Sequence, residues 1–345
     1  MSENKLKVAV GISGGVDSAL AAALLVEKGY DVTGVFMECW NEPGCRTDDD
    51  RKDALSVALK LKIPFKVLDF KKEYRKKVVD WFYAEYKKGY TPNPDIICNK
   101  EIKFGIFYDW MVGQNFDFMA TGHYARMKEG KLLRSVDENK DQTYFLAMVG
   151  ASQLARTLFP IGHLNKSQVR KEAQKRGFKV WDKKDSTGIC FIGNDYSFNE
   201  FLKRKIKVHE GEVVNKKGEV VGSHQGVEFY TIGQRHGFKV NPQSTQSQAL
   251  YVVAKNAKDN HLVVGGKKDL QRKEFKVEKW QWISKNMQVP YLHVLVRIRH
   301  RGELVRAKIE GKKVKLAKPV LGVAPGQVAV IYSGFECLGG GVIVS

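Results

Sequence analysis

The stretch LKVAVGISGGVDS (Leu6–Ser18) constrains this chain more than any other. Leu6, Val8, Val10 and Ile12 alternate as a short strand does, and small residues then take over at once. ALAAALLVEKG follows with the composition of a helix; Asp17 or Ser18 is placed to cap it and Lys28-Gly29 to stop it. DVTGVFM (Asp31–Met37) reads as the next strand. A strand, a glycine-rich turn, a helix and a second strand put the turn at the C-terminal edge of a parallel sheet, where α/β folds bind ligands.

The turn suits a phosphate. Gly14 and Gly15 let the backbone come close to an anion, Ser13 and Ser18 add hydroxyl donors, and the helix start offers free N–H groups and a positive dipole end. The usual nucleotide loop ends Gly-Lys-Ser/Thr, but here Asp17 stands in the lysine's place, and the dinucleotide pattern G-x-G-x-x-G also fails. Ser-Gly-Gly-Val-Asp-Ser instead resembles the pyrophosphate loop of the ATP pyrophosphatase superfamily, whose members adenylate a substrate and release pyrophosphate.

With 345 residues the chain can bury a sizeable core and divide into two or three domains. It has no apolar run of membrane-span length, and MSENKLK lacks the apolar core of a secretory signal, so a cytoplasmic chain with no membrane association is expected. The net charge of +20 is spread through every segment, which points to basic surfaces on folded domains and to nucleic acid as the polyanion. A generally lysine-rich composition accounts for the charge equally well. Cys39, Cys45, Cys98, Cys190 and Cys337 are odd in number and contain no C-x-x-C pair, which disfavours a disulfide framework and a zinc ribbon.

Further on, Asp48–Asp50 start a helix with Leu55, Ala58, Leu59 and Leu61 as its apolar stripe, IPFKVLDF is a third strand, and Val78, Val79 and Phe82 share one face of another helix. In YTPNPDIICNKEIKF (Tyr90–Phe104), Pro92 and Pro94 impose an extended approach, and helical character begins near Asp95. Cys98 then falls in a first turn, where the dipole stabilises a thiolate, and Asp95 lies close enough to share a site with it. A capping aspartate beside a buried cysteine explains the same residues. FDFMATGHYAR is a strand ending in a Gly-His-Tyr turn, with KLLRSVD pairing back, and Lys140, Asp141 and Gln142 stand at a helix start. GHLNKSQVRKEAQKRGF carries Asn165 as N-cap, Gln168 at the capping-box position and Gly177 as stop, a structural helix. In KKDSTGICFIGN, Asp185, Ser186 and Gly188 suit a mobile loop and ICFI a short buried strand, leaving Cys190 either inert or exposed at their border.

From about Ile206 the character turns to all β, with hairpins around Lys216-Lys217-Gly218 and Lys258–Asn260. Beyond Lys273 six short strands with glycine or proline breaks suggest a small barrel or sandwich, and VRIRHRGELVRAK suits an RNA-facing surface.

Together VGISGGVDS, TPNPDIICNKEIKF, ATGHYAR, NKDQTYFL, KDSTGICFIG, YTIGQRHG and CLGGGVI resemble the tRNA-specific 2-thiouridylase family over almost the whole chain. The resemblance implies an α/β chain: a parallel-sheet pyrophosphate-loop domain (1–205), a small central β-rich domain (206–272) and a C-terminal β-barrel-like domain (273–345), the last two binding tRNA. It implies an enzyme that adenylates the C2 oxygen of the wobble uridine with ATP and Mg²⁺ and replaces it with persulfide sulfur. ATP would lie against Gly11, Ile12, Ser13, Gly14, Gly15, Val16, Asp17, Ser18, Met37 and Gly122. Cys98 would be the nucleophilic thiol, Cys190 the persulfide carrier and Asp95 an acid, base or polarising group. Asn93, Pro94, Asp95, His123, Lys140, Asp141, Gln142, Arg297, Ile298 and Gln327 would meet tRNA, although the family carries Arg-Tyr at the Arg297-Ile298 position and Ile298 can neither stack on a base nor donate a hydrogen bond. The implied partners are tRNA and a sulfur-relay or cysteine desulfurase protein, with the chain a monomer and no resident metal. A small-molecule adenylating synthetase explains the loop but not the thiols or the basic tail, and a catalytically dead RNA-binding protein leaves the loop, Asp95 and both thiols unexplained.

Overall fold

The computed structural model describes residues 5–42, 45–185, 188–192, 197–241, 249–284 and 291–345, with side chains of 291 and 292 excepted. The first sheet contains β1 (Lys7–Gly11), β2 (Asp31–Glu38), β3 (Phe65–Asp69), β4 (Phe118–Ala120) and β7 (Thr157–Leu158), all parallel, in the order β3-β2-β1-β4-β7. The alternation in β1 sorts its residues between two cores. Val8, Val10 and Ile12 pack with α1 (Val16–Glu27) and α2 (Thr47–Leu61), while Ala9 and Val35 face a larger aromatic core. Being covered on both faces, β1 and β2 are almost wholly buried. The sequence order reverses at β1, between β2 and β4, so the loops after β1 and β4 meet in the crevice of a switch point.

Two local expectations are corrected. The cap of α1 is Gly15, and Asp17 and Ser18 lie inside its first turn, because the tight turn ends before them. In α2 the stripe is Ala54, Val57 and Ala58; Leu55 and Leu59 are exposed, since the helix lays its small residues against the sheet.

Helices α3 (Lys71–Tyr74) and α4 (Trp81–Lys87) are joined by a π-helical turn, Arg75–Asp80. Next, α5 (Pro94–Ile97) runs through a π-helical segment, Cys98–Ile106, into α6 (Phe107–Gly113). The hairpin β5 (Ala125–Lys128) and β6 (Lys131–Arg134) leads to α7 (Thr143–Leu146), α8 (Ala151–Ala155), α9 (Lys166–Lys175) and α10 (Phe198–Lys203). Asn165 and Gln168 cap α9 reciprocally, as their spacing predicts. ICFI is not a strand but a turn closed by the Ile192 amide on the Ile189 carbonyl, 2.9 Å. Phe191 anchors it between Trp40, Tyr74, Phe82 and Phe201, with ring centroids 5.2–6.2 Å away. Ser186 lies outside the described residues.

The middle sheet, in the order β10-β9-β8-β12-β11, uses β8 (Gly211–Val214), β9 (Val220–His224), β10 (Lys239–Val240), β11 (Tyr251–Asn256) and β12 (His261–Gly265). The two hairpins expected there are β8–β9 and β11–β12, and the pairing of β8 with β12 is parallel. The last six strands are β13 (Gln271–Trp282), β14 (Tyr291–Arg297), β15 (Val305–Glu310), β16 (Lys313–Leu321), β17 (Val328–Ser333) and β18 (Glu336–Ile343). They pair antiparallel in the order β13-β16-β15-β14-β17-β18, and β13 pairs back onto β18 to close a barrel. Closure leaves no open edge between its first and last strands. The hairpin β5–β6 joins this sheet through Leu133 opposite Glu336, so the barrel is tied to the first domain by main chain.

Candidate active site

The phosphate loop is held open by its own hydroxyls. Ser18 Oγ accepts from the Ser13 amide (3.1 Å) and donates to the Gly15 carbonyl (3.1 Å), while Ser13 and Ser18 share a further hydrogen bond at 3.2 Å. Ser13 is exposed and Gly14 has φ +75°, where a Cβ would stand 2.3 Å from the Asp50 carbonyl oxygen. Gly122 brings the end of β4 against the first turn of α1, and a Cβ there would be 2.6 Å from the Ser18 amide nitrogen. Met37 and Gly11 meet in the same crevice, the Met37 methyl lying 3.1 Å from where a Cβ on Gly11 would be. The ten residues expected to bind nucleotide thus gather at the β1–β4 crevice.

An aspartate in a phosphate loop repels phosphate unless its charge is neutralised. Lys166, the first residue of α9, does so: its Nζ lies 2.8 Å from both oxygens of Asp17, and the Tyr124 hydroxyl donates to Asp17 Oδ1 at 2.7 Å. The same ammonium is 2.7 Å from Asp185 Oδ1, and Asp185 also binds Lys140 (2.5 Å) and Arg170 (3.1 Å). Burial would raise the Asp185 pKa, but the bonds from Lys140 and Lys166 outweigh it and hold the carboxyl at about 2. Lys183 reaches the Gly14 carbonyl at 3.0 Å and bridges Asp50 and Asp53. Sequence reading treats α9 as structural and so misses Lys166. The signal is that a lysine stands at N1, directly after the capping asparagine.

The thiol half is built on the 94–106 helix. Asn93 Oδ1 caps it, accepting from the amides of Asp95 (3.1 Å) and Ile96 (3.3 Å), with Pro94 at the first helical position. Asp95 and Cys98 are three residues apart on one helical face. Cys98 is not in the first turn, as expected, but opens the π-helical segment. Nor is its thiolate stabilised: burial pushes the thiol up to about 12, with only Lys103 opposing. Cys190 is exposed, yet the protein around its sulfur raises that thiol too, helped by Asp95 and opposed by Lys103. Burial raises the Asp95 carboxyl as well. Lys103 is therefore the cation shared by Asp95 and both thiols. The i→i+5 spacing of a π turn explains why α-helical periodicity does not reveal it. Cys39 belongs to the same group, its thiol raised by burial and then by Cys98.

The residues expected to meet tRNA divide. His123 is buried against Phe104 and Phe159, with Nδ1 2.8 Å from Thr121 Oγ1. Gln142 Oε1 accepts from the Tyr124 amide (2.9 Å), and Gln327 Nε2 donates to the Thr91 carbonyl (2.7 Å), which seats the barrel on the loop entering Asn93. Asp141 and Arg297 form a buried ion pair at 3.1 Å. Ile298 is buried, and its carbonyl accepts from the Tyr144 hydroxyl.

Acid destabilises this arrangement. Burial, reinforced by Lys103, holds His123 well below its ordinary pKa of 6.5, and burial beside Arg301 and Arg297 lowers His300 to about 4. Below about pH 6.5 the unfolded chain takes up protons that these folded imidazoles refuse, so stability falls with pH. Urea unfolding at pH 7.5, 6, 5 and 4 is expected to show the loss between pH 6.5 and 4, with a shallower slope for His300→Phe.

Family profiles match the chain as a tRNA methyl transferase HUP domain over residues 6–194, a tRNA methyl transferase PRC-barrel domain over 199–266 and an aminomethyltransferase beta-barrel domain over 272–343. A protein of Geobacillus thermodenitrificans named tRNA-specific 2-thiouridylase MnmA is 42% identical over 356 residues, covering 99% of this chain and 95% of that one. Proteins of the same name from Nitrosomonas eutropha (43%, 99% of both chains) and Pediococcus pentosaceus (40%, 99% and 96%) align equally fully.

Proposed function

The chain belongs to the tRNA-specific 2-thiouridylase family, and from that premise we propose that it replaces the C2 oxygen of the wobble uridine of tRNA with sulfur at the expense of ATP. The observation that carries this reading is the pairing of a phosphate loop at the β1–β4 crevice with Asp95 and Cys98 at the start of one helix and with Cys190 on a turn packed into the same aromatic core.

Oxide is a poor leaving group, so the uridine oxygen must be activated. O2 attacks the α-phosphorus of ATP, pyrophosphate departs, and the loop amides offset its charge, the charge of Asp17 being already cancelled by Lys166. Mg²⁺ would be carried mainly by the phosphates of ATP, where it would neutralise the leaving group. The terminal sulfur of a Cys190 persulfide attacks C2 and expels AMP. Cys98 then attacks Cys190 Sγ, forming a Cys98–Cys190 disulfide and leaving the thiocarbonyl on the base; alternatively it frees sulfide first, with the same disulfide as product. Asp95, its pKa raised by burial, is suited to donate a hydrogen bond or proton at the base edge. A wobble base is unpaired and cheap to extrude.

The division into 1–205, 206–272 and 273–345 assigns the first part to catalysis and the others to gripping the anticodon stem through phosphates. We assign Asp141 and Arg297 to docking the barrel, since their charged groups are spent on each other. A sulfur-relay or desulfurase protein loads Cys190, and the chain works as a cytoplasmic monomer. No helix among the described residues is long and apolar enough to cross a membrane. The test is mass spectrometry of tRNA nucleosides after incubation with ATP, Mg²⁺ and a persulfide donor. 2-Thiouridine is expected only with all components present, and its absence under those conditions would reject the reading.

A further inference from the structure

The motif YTIGQRHG (Tyr230–Gly237), which lies between the short helical turn Val227–Phe229 and β10, has no task in the reaction described above. Its shape is set by its own side chains. The Gln234 amide donates to the Thr231 carbonyl (3.0 Å) across a turn in which Gly233 takes φ +91°, a value that favours glycine. The Gln234 side chain uses both of its ends, Oε1 accepting from the Thr231 amide (3.0 Å) and Nε2 donating to the His236 carbonyl (2.7 Å). The Tyr230 hydroxyl closes the base of the loop on the Gly237 carbonyl (2.6 Å). Two bonds fix the loop to β11, from the Gly233 amide to the Val252 carbonyl (2.8 Å) and from the Val252 amide to the Gln234 carbonyl (2.9 Å). This frame presents Arg235 and His236, both exposed. Among the described residues neither side chain has a hydrogen bond or ion pair, and the amides of Arg235, His236 and Gly237 donate to nothing.

A guanidinium without a carboxylate, beside three consecutive free N–H groups, suits an oxyanion. Ordering these groups before the ligand arrives lowers the cost of binding it. The place of the loop says which oxyanion. A Cβ on Gly322, just past β16, would lie 4.0 Å from the Ile232 carbonyl oxygen, so the loop meets the barrel. The turn after Gly322 holds the segment that enters Asn93, with the Thr91 amide on the Pro325 carbonyl (2.8 Å) and Gln327 on the Thr91 carbonyl. The loop therefore stands on the seam between central sheet and barrel, beside the turn that seats the entrance to Asp95 and Cys98. We propose that Arg235, His236 and the amides beside them hold a backbone phosphate of the tRNA, and so set the RNA in register with the site that receives the wobble base. Arg235 is then a positioning residue. An exposed site holds a free ion weakly, but it serves a phosphate on a long polyanion whose other contacts supply the rest of the affinity.

The inference rests on tRNA being the substrate, and the salt dependence of binding separates the two. One phosphate contact releases about 0.9 of a counterion, which is worth about eightfold in affinity at about 0.1 M salt. In fluorescence anisotropy with an unmodified tRNA transcript, from about 50 to 200 mM KCl, Arg235→Gln is expected to bind about eightfold more weakly near 0.1 M. Its slope of log affinity against log salt is expected to be shallower by about 1. Arg235→Lys, which keeps the charge, is expected to keep the slope. Gln234→Ala, which removes no charge but unlocks the loop, is expected to weaken binding with the slope unchanged. A loss in Arg235→Gln no greater than that in Lys217→Gln, an exposed lysine at the tip of the β8–β9 hairpin, would reduce Arg235 to diffuse charge and overturn this inference alone. Saturable binding of inorganic phosphate in calorimetry, lost in Arg235→Gln while tRNA affinity stays, would assign the loop to a free anion and also overturn it. Wild-type protein without affinity for tRNA would overturn both this inference and the tRNA reading.

Discussion

Cys98→Ser and Cys190→Ser are each expected to abolish 2-thiouridine formation, by at least about 10⁴-fold, while leaving tRNA affinity unchanged. The two substitutions stop the reaction at different points. Without Cys190 no persulfide sulfur reaches C2, and tRNA and ATP accumulate as substrate complex or adenylate. Without Cys98 the sulfur can reach C2, but the Cys190–S–S–C2 link has no thiol to resolve it, so a protein–tRNA adduct is expected on non-reducing gels. Each substitution replaces one atom, sulfur by oxygen, in a thiol whose pKa the surrounding protein already raises, so the fold has no thiolate charge to lose. Normal thiolation by either variant with a persulfide donor would sink the two-thiol mechanism.

Asp141→Asn is expected to cost about 3–5 kcal/mol of stability, read as a lower urea midpoint, because it strips the counter-charge from a buried guanidinium. Asp141 is fully buried. Its carboxylate lies 3.1 Å from Arg297 and 3.6 Å from Arg134, and it accepts from the Thr143 hydroxyl at 2.9 Å. Adding Arg297→Met to Asp141→Asn is expected to restore part of the loss, since an apolar chain of similar length leaves no unpaired charge. An RNA contact predicts the opposite pattern: unchanged unfolding, weaker tRNA binding and a shallower salt dependence. The pair lies where β14 meets the start of α7, beside the Tyr144 hydroxyl on the Ile298 and Val328 carbonyls. That location explains why a family motif at this position need not report a surface.

Much of the fold can be read from local chemistry. The caps of α9, both central hairpins and all six barrel strands follow from side chains within a few residues of one another. The errors also have local causes. ICFI has strand composition, but its phenylalanine is drawn into an aromatic cluster from three helices and the loop after β2, and the backbone turns to deliver it. Leu55 and Leu59 fit a helical stripe by spacing, yet alanines let α2 approach the sheet more closely and the leucines face outward. Lys103 is hidden by a π turn, which has a different period from the helix assumed.

What the sequence by itself determined is the chemistry of the loop and the presence of its partners. Gly14 must take a backbone conformation that favours glycine, Ser13 and Ser18 bond within five residues of each other, and Asp95 and Cys98 share a face at α-helical spacing. Only the tertiary structure decided which charges and thiols are usable. Asp17 is neutralised by a lysine 149 residues away, Asp141 is sealed under a barrel strand 156 residues away, and Cys98 is raised by burial where a helix dipole alone would lower it. The reason is that desolvation and Coulomb interaction depend on what surrounds a group in space, which no short stretch of sequence contains.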